Sequence, residues 1–155
     1  MLLVSRNQPD QGARVTAHYN TNSTALDPLC EIYESTKLRK AQASLGREDD
    51  VIRLFSAAKP DEGGSNFGPV QVVIVNHGVW PATDVPLAEM TLEQWKSTLD
   101  TNLTSSFLVV REYLKQLQAS SEALKEKAAV ILVGGTSGKF GEADHADFAA
   151  SKSGT

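Results

Sequence analysis

Apolar positions along this chain alternate between two rhythms. Ala13–Tyr19 (ARVTAHY) is short and rich in β-formers, and it predicts a strand opened by Gly12. Ala25–Ser35 places Leu26, Leu29, Ile32 and Tyr33 at near-helical spacing. Leu38–Leu45 reads as a weak strand. Glu48–Ala58 sets Val51, Ile52, Leu54 and Phe55 on one helical face, and Pro60–Gly68 is a polar, Gly-rich break. Val70–Val75 (VQVVIV) is the strongest strand signal, a near-continuous apolar run of the kind a sheet covered on both faces carries. Val79–Met90 is a loop with Pro81 and Pro86. Thr91 is an N-cap candidate ahead of a helical pattern over Leu92–Leu117, with room for one break. Val109, Val110, Tyr113 and Leu114 mark its inner stripe. Ser120–Lys127 is a polar connection, Ala129–Val133 another buried-type strand, and Ala146–Lys152 the start of a helix. Strands alternating with helices predict an α/β fold with a doubly wound parallel sheet.

Composition adds bounds. The chain has 155 residues, 41% of them apolar and 22% charged, with a net charge of −4. That suits one soluble domain, and mild acidity without a basic run argues against nucleic acid as a partner. No apolar stretch approaches the ~20 residues of a membrane span. Cys30 is the only cysteine, which excludes an internal disulfide or a cysteine zinc cluster. Asn22-Ser23-Thr24 and Asn102-Leu103-Thr104 match glycosylation acceptors and are read as chance. The expected location is intracellular, the cytoplasm.

The residues that follow the strands carry the chemistry, because α/β sheets bind ligands at their carboxyl ends. Val70–Val75 ends in Asn76-His77-Gly78. Ala129–Val133 ends in a loop with Gly134, Gly135, Gly138 and Gly141. Phe148-Ala-Ala-Ser-Lys152 follows, and Leu99-Asp-Thr-Asn102-Leu103 lies between. In this order and spacing the chain resembles the short-chain dehydrogenase/reductase family from Gly12 to Thr155. The resemblance implies a Rossmann fold, NADP or NAD as cofactor, and a small-molecule alcohol or carbonyl as substrate.

Carried over residue by residue, Asn76 and Gly78 match the family's Asn-Ala-Gly motif. The Asn braces the sheet and the Gly admits the cofactor's ribose. Asn102 matches the Asn of the catalytic tetrad, which holds a water in the proton relay. Lys152 matches the tetrad Lys, which binds the nicotinamide ribose. Tyr19, Asn20 and Thr21 stand where the family reads the adenosine ribose. No acidic residue is among them, which favours NADP over NAD. Ser44 stands near the place of an Asp that contacts the adenine. Two tetrad positions depart: Gly135 stands for the Ser and Phe148 for the Tyr. Neither can polarise a carbonyl or give it a proton, so turnover is expected to be impaired or lost. Thr136 and Ser137 are adjacent hydroxyls that could substitute, while His145 and Asp144 read as surface loop residues.

The family's opening strand, Gly-rich phosphate loop and first helix have no counterpart here. Eleven residues precede Gly12, which is one glycine and no phosphate loop. Its later strands and substrate-covering segment are also missing from a chain that ends at Thr155. Residues 1–155 are therefore expected to be a single partial domain, an incomplete Rossmann-like sheet, with 1–11 a leader outside the family pattern. A parallel crossover needs about a dozen residues, so Met1–Ser5 is expected to stay loose or pair antiparallel. Val70–Val75 would then lie at an edge and invite association. The stripe Phe107, Val110, Leu114 reads as core, with a second reading as a contact between chains. Trp80 and Trp95 read as packing residues. Three functions follow: an NADP-dependent oxidoreductase, a non-catalytic pseudoenzyme acting through a partner chain, or a truncated fragment.

Overall fold

The computed structural model describes residues 1–5, 12–57 and 67–155. Its five strands are β1 (Leu2–Ser5), β2 (Arg14–Tyr19), β3 (Leu38–Gln42), β4 (Val70–Val75) and β5 (Ala129–Leu132), in the order β3-β2-β1-β4-β5. β2 pairs parallel with β3, and β4 pairs parallel with β5. β1 joins the two halves and runs antiparallel to both neighbours, with Leu3 opposite Thr16 on one side and Val73 on the other. This is an open α/β sheet in which the antiparallel placement expected for Met1–Ser5 holds. Most of the Pro60–Gly68 break, and residues 6–11 of the expected leader, lie outside the described residues; Leu2–Ser5 form β1.

One expectation is corrected at β4. It is not an edge strand, because β1 and β5 both pair with it. Its apolar run is used as patterned: Val70, Val73 and Val75 are buried. The edge falls instead on β5, whose Ile131 and Leu132 are exposed, as is Val133 just beyond it. The buried-type reading of Ala129–Val133 therefore fails. A strand with one neighbour keeps its apolar composition but loses its cover.

Helices are α1 (Asp27–Ile32), α2 (Glu48–Ser56), α3 (Leu92–Leu99), α4 (Ser105–Gln118), α5 (Glu122–Lys125), α6 (Ser137–Phe140) and α7 (Ala146–Ser153). Between α3 and α4 the chain makes a π turn, Asp100–Thr104. The core lies where α2 and α4 cover one face of the sheet: Val51, Leu54 and Phe55 meet Leu3, Val73, Val75, Leu108, Val109 and Tyr113. Arg111 on α4 pairs with Glu48 on α2 at the rim. Among the described residues, the other face is thinly covered. Leu29, Ile32 and Tyr33 around α1 remain exposed, so the near-helical spacing of Ala25–Ser35 makes only a short helix without a buried face. The inner stripe of α4 is also narrower than its spacing suggests. Val109 and Tyr113 are buried, Val110 is half-buried, and Phe107 and Leu114 are exposed, which corrects their reading as core. The polar connection Ser120–Lys127 contains the short α5, anchored by buried Leu124. Trp95 is half-buried and Trp80 is 50% exposed.

Candidate functional site

Thr91 caps α3 as its sequence suggests, its hydroxyl accepting the Gln94 N–H at 3.1 Å. The helix does not run straight into α4. In the π turn the Ser105 N–H reaches back to the Asp100 carbonyl, five residues away, rather than four. The hydroxyl run Thr104-Ser105-Ser106 suits this local widening. Ser105 Oγ donates to the Thr101 carbonyl at 2.5 Å and Ser106 Oγ to the Asn102 carbonyl at 2.6 Å. Side-chain donors thus compete for helix carbonyls, a recognised cause of a local distortion. The break left open within Leu92–Leu117 is this turn, and it aims Asn102 inward.

Asn102 is 1% exposed and its amide is fully engaged. Oδ1 accepts the Val79 N–H at 2.7 Å, while Nδ2 donates to the Val79 carbonyl at 3.1 Å and to Ser151 Oγ at 3.0 Å. Ser151 in turn donates to the Phe148 carbonyl at 2.8 Å. One buried side chain therefore ties the loop after β4 to helix α7.

Lys152 projects from α7 toward the same place, donating to the Val133 carbonyl at 3.3 Å. Gly78 completes the group. A Cβ on it would stand 3.1 Å from Asn102 Oδ1 and 3.6 Å from Lys152 Nζ. Glycine here leaves an open approach to an ammonium and a buried amide at the carboxyl edge of the sheet. Asn20 and Ser44 share a cleft of about 230 Å³ with Gly78, also lined by His18, Asp100 and Ser105. Ser44 is held there by its N–H, which donates to Asp50 Oδ2 at 2.9 Å; that bond, more than Arg53 and Arg47, keeps the Asp50 carboxyl below its usual range. Tyr19 and Thr21 flank Asn20 at the end of β2, and Asn76 is exposed at the end of β4.

Gly135 and Phe148 are placed differently. Nothing lies within 4 Å of where a Gly135 Cβ would stand, so the position is open. Phe148 packs edge-on against Trp80, centroids 4.6 Å apart, and the Lys152 ammonium lies 5.8 Å from its ring centre. Of the neighbouring hydroxyls, Thr136 is exposed, but Ser137 is buried and donates to Glu142 Oε2 at 2.7 Å. The surface reading of His145 is corrected. It is 4% exposed, it stacks against Trp80 at 4.2 Å, and its Nε2 meets Asp84 Oδ1 at 3.0 Å. Aromatic packing drew it in, while Asp144 before it stays exposed at φ 58°.

Sequence reasoning passed over His77. Its Nε2 lies 2.5 Å from Ser105 Oγ, and its Nδ1 is buried without a hydrogen-bond partner. Burial, and then the amino terminus, His18 and Lys152, push its pKa down to about 4. A signal was available: an imidazole beside the glycine of Asn76-His77-Gly78, and a hydroxyl run at 104–106. Among the described residues no group of three or more His, Cys, Asp or Glu could hold a metal ion. No described helix is long and apolar enough to cross a membrane.

An open α/β sheet with a Gly, Asn and Lys converging at its carboxyl edge defines the class, and comparison with known proteins gives the family. The family model for short chain dehydrogenases matches residues 3–155, and the chain belongs to that family. It is 27% identical over 146 residues to a 3-oxoacyl-[acyl-carrier-protein] reductase of Synechocystis, covering 92% of this chain and 54% of that protein. It is 31% identical over 106 residues to the 3-oxoacyl-[acyl-carrier-protein] reductase MabA of Mycobacterium tuberculosis, covering 68% of this chain and 38% of the relative. Among solved structures, a short chain dehydrogenase from Mycobacterium smegmatis superposes with a TM-score of 0.71 at 16% identity, over 88% of this chain and 54% of that one. At that identity the likeness shows the fold alone. The chain thus spans about half the length of its Synechocystis relative, and less of the mycobacterial one.

Proposed function

We propose that residues 1–155 act as a single, partial nucleotide-binding domain that holds NADP, in preference to NAD, along the carboxyl edge of the sheet. In this reading the chain descends from oxidoreductases that interconvert alcohols and carbonyls by hydride transfer, and its own proton delivery is lost. The observation that carries it is the convergence of Gly78, Asn102 and Lys152. The gap that a Gly78 side chain would fill suits the edge of a sugar, and Lys152 supplies a cation beside it.

When bound, the nicotinamide supplies or accepts the hydride. Lys152 binds the hydroxyls of its ribose, and Asn102 keeps the Val79 loop in place beneath. Tyr19, Asn20, Thr21 and Ser44 face the adenosine half; the lack of a carboxylate among them accommodates a 2′-phosphate. Asn76 braces the strand end next to Gly78. A carbonyl oxygen that has received hydride needs a proton, and the Phe148 ring has none to give. Gly135 offers no hydroxyl to polarise that oxygen, and Ser137 has committed its own to Glu142. The names of the relatives make a 3-oxoacyl thioester the first carbonyl to test. The one cysteine, Cys30, is free, which suits the reducing cytoplasm.

Calorimetric titration with NADPH and NADH tests the binding half. NADPH binding to the wild-type chain, weakened about tenfold or more in Lys152→Ala as expected for losing a charge-assisted hydrogen bond, supports the reading. No heat at millimolar NADPH would overturn it.

A second reading has its own support. Phe107 and Leu114 are 56% and 45% exposed, and with Val110 they line an apolar groove of about 330 Å³ beside Leu132. Exposed patches of this kind mark contacts, so the chain would act without catalysis by joining a partner chain there. Sedimentation of the wild-type chain and of Phe107→Asp tests it. Loss of a dimer or hetero-complex in the variant supports the reading; a wild-type chain that stays monomeric, alone and with a full-length relative, rejects it.

A further inference from the structure

We infer that His77 is a positioning residue: through Ser105 it clamps the π turn that aims Asn102 at Val79. The hydrogen-bond directions follow from counting protons. Ser105 Oγ has one proton and gives it to the Thr101 carbonyl at 2.5 Å. Toward His77 it can only accept, so the imidazole carries its proton on Nε2 and donates across 2.5 Å. The turn is then held at two points by the segment leaving β4. His77 grips Ser105 at its far end, and Val79 grips Asn102 at its centre with two bonds. Gly78, between the two clamps, is the residue against which Asn102 Oδ1 and Lys152 Nζ close.

This arrangement gives Ser105 a partner that restrains the widened turn from relaxing into a regular helix. Asn102 Oδ1 faces Val79 only in the widened form, because a regular turn would rotate the residue about the helix axis. A donor on the 77 side chain at imidazole reach is therefore what the site needs, and no ligand is required for it to act.

Amide hydrogen exchange on the full chain, read by NMR, tests this. Val79 N–H, in the loop after β4, reports the Asn102 bond, and Val73 N–H within β4 reports the core. His77→Ala and Ser105→Ala should each speed Val79 exchange about tenfold relative to Val73, the cost of one lost hydrogen bond. The double variant should add no more, and His77→Gln, which keeps a donor at similar reach, should restore wild-type exchange. Val79 and Val73 accelerating together in every variant would mean general destabilisation and overturn the assignment. An unchanged Val79 rate in Ser105→Ala, the milder substitution, would do the same. Because the readout needs no dinucleotide, its result stands apart from the NADP titration.

Discussion

Asn102 and Val79 are joined twice, Oδ1 accepting the Val79 N–H at 2.7 Å and Nδ2 donating to the Val79 carbonyl at 3.1 Å. A backbone unit in a loop thus has both its polar groups satisfied by one buried side chain. Replacing that side chain leaves the Val79 N–H and carbonyl without their partner and removes the bond that Ser151 Oγ accepts, though Ser151 keeps its own bond to the Phe148 carbonyl. Asn102→Ala should destabilise the chain by about 2–4 kcal/mol, since buried groups left unpaired cost more than the bond itself. Asn102→Asp should keep the bond from the Val79 N–H yet still destabilise, because a carboxylate cannot donate to the Val79 carbonyl. Urea denaturation of both variants checks this.

Two nearby glycines, Gly135 in the loop after β5 and Gly138 in α6, should respond oppositely to a side chain. A Cβ at Gly138 would stand 2.5 Å from the Lys152 carbonyl oxygen, where α6 and α7 touch backbone to backbone. Gly138→Ala should cost more than about 2 kcal/mol, as overpacking against an immovable neighbour does. Gly135 has nothing within 4 Å, so Gly135→Ser should change stability by no more than about 0.5 kcal/mol. Paired thermal melts of the two variants compare them directly.

This contrast shows what the sequence could and could not convey. The places of β2, β3, β4 and β5 along the chain were legible, because their strand-like runs are bounded by polar or Gly-rich breaks. The antiparallel course of Leu2–Ser5 was legible from arithmetic, since too few residues follow for a crossover. The neighbours of β4 were not, because a four-residue strand has too weak a pattern to announce that it will fill the centre of a sheet. Exposure along β5 and at Phe107 was hidden for a related reason: composition records what a surface can bury, not what stands against it. His145 was misjudged because its burial depends on Trp80, sixty-five positions away in the sequence. At the site, Asn102, Gly78 and Lys152 were legible as motif positions, whereas His77 was not, because its partner Ser105 is found only in three dimensions.

Acid should weaken the fold through His77. Its pKa is about 4 in the folded chain against 6.5 for a free imidazole, with burial the main cause. The amino terminus, His18 and Lys152 oppose a further proton, and Asp100 lines the same cleft. Between pH 6.5 and 4 the unfolded chain binds more protons than the folded one, so stability rises with pH there. The contribution is complete above about pH 6.5 and is lost as pH falls toward 4. Its size is about 2 kcal/mol after discounting for the ring's partial exposure. The stability gap between wild type and His77→Gln, measured by urea titration, should shift by that amount between pH 7 and pH 4. A constant gap would count against it.

A chain that holds a dinucleotide without a group to deliver the proton should bind NADPH and not consume it, and NADPH oxidation reads this out. Wild type and the Gly135→Ser, Phe148→Tyr double variant would be compared with a 3-oxoacyl thioester and a panel of simple carbonyls. Wild type should show no measurable turnover, and the double variant a rate at least about 10² times the detection limit, the lower bound for a restored general acid. Wild-type turnover equal to that of the double variant would contradict this reading.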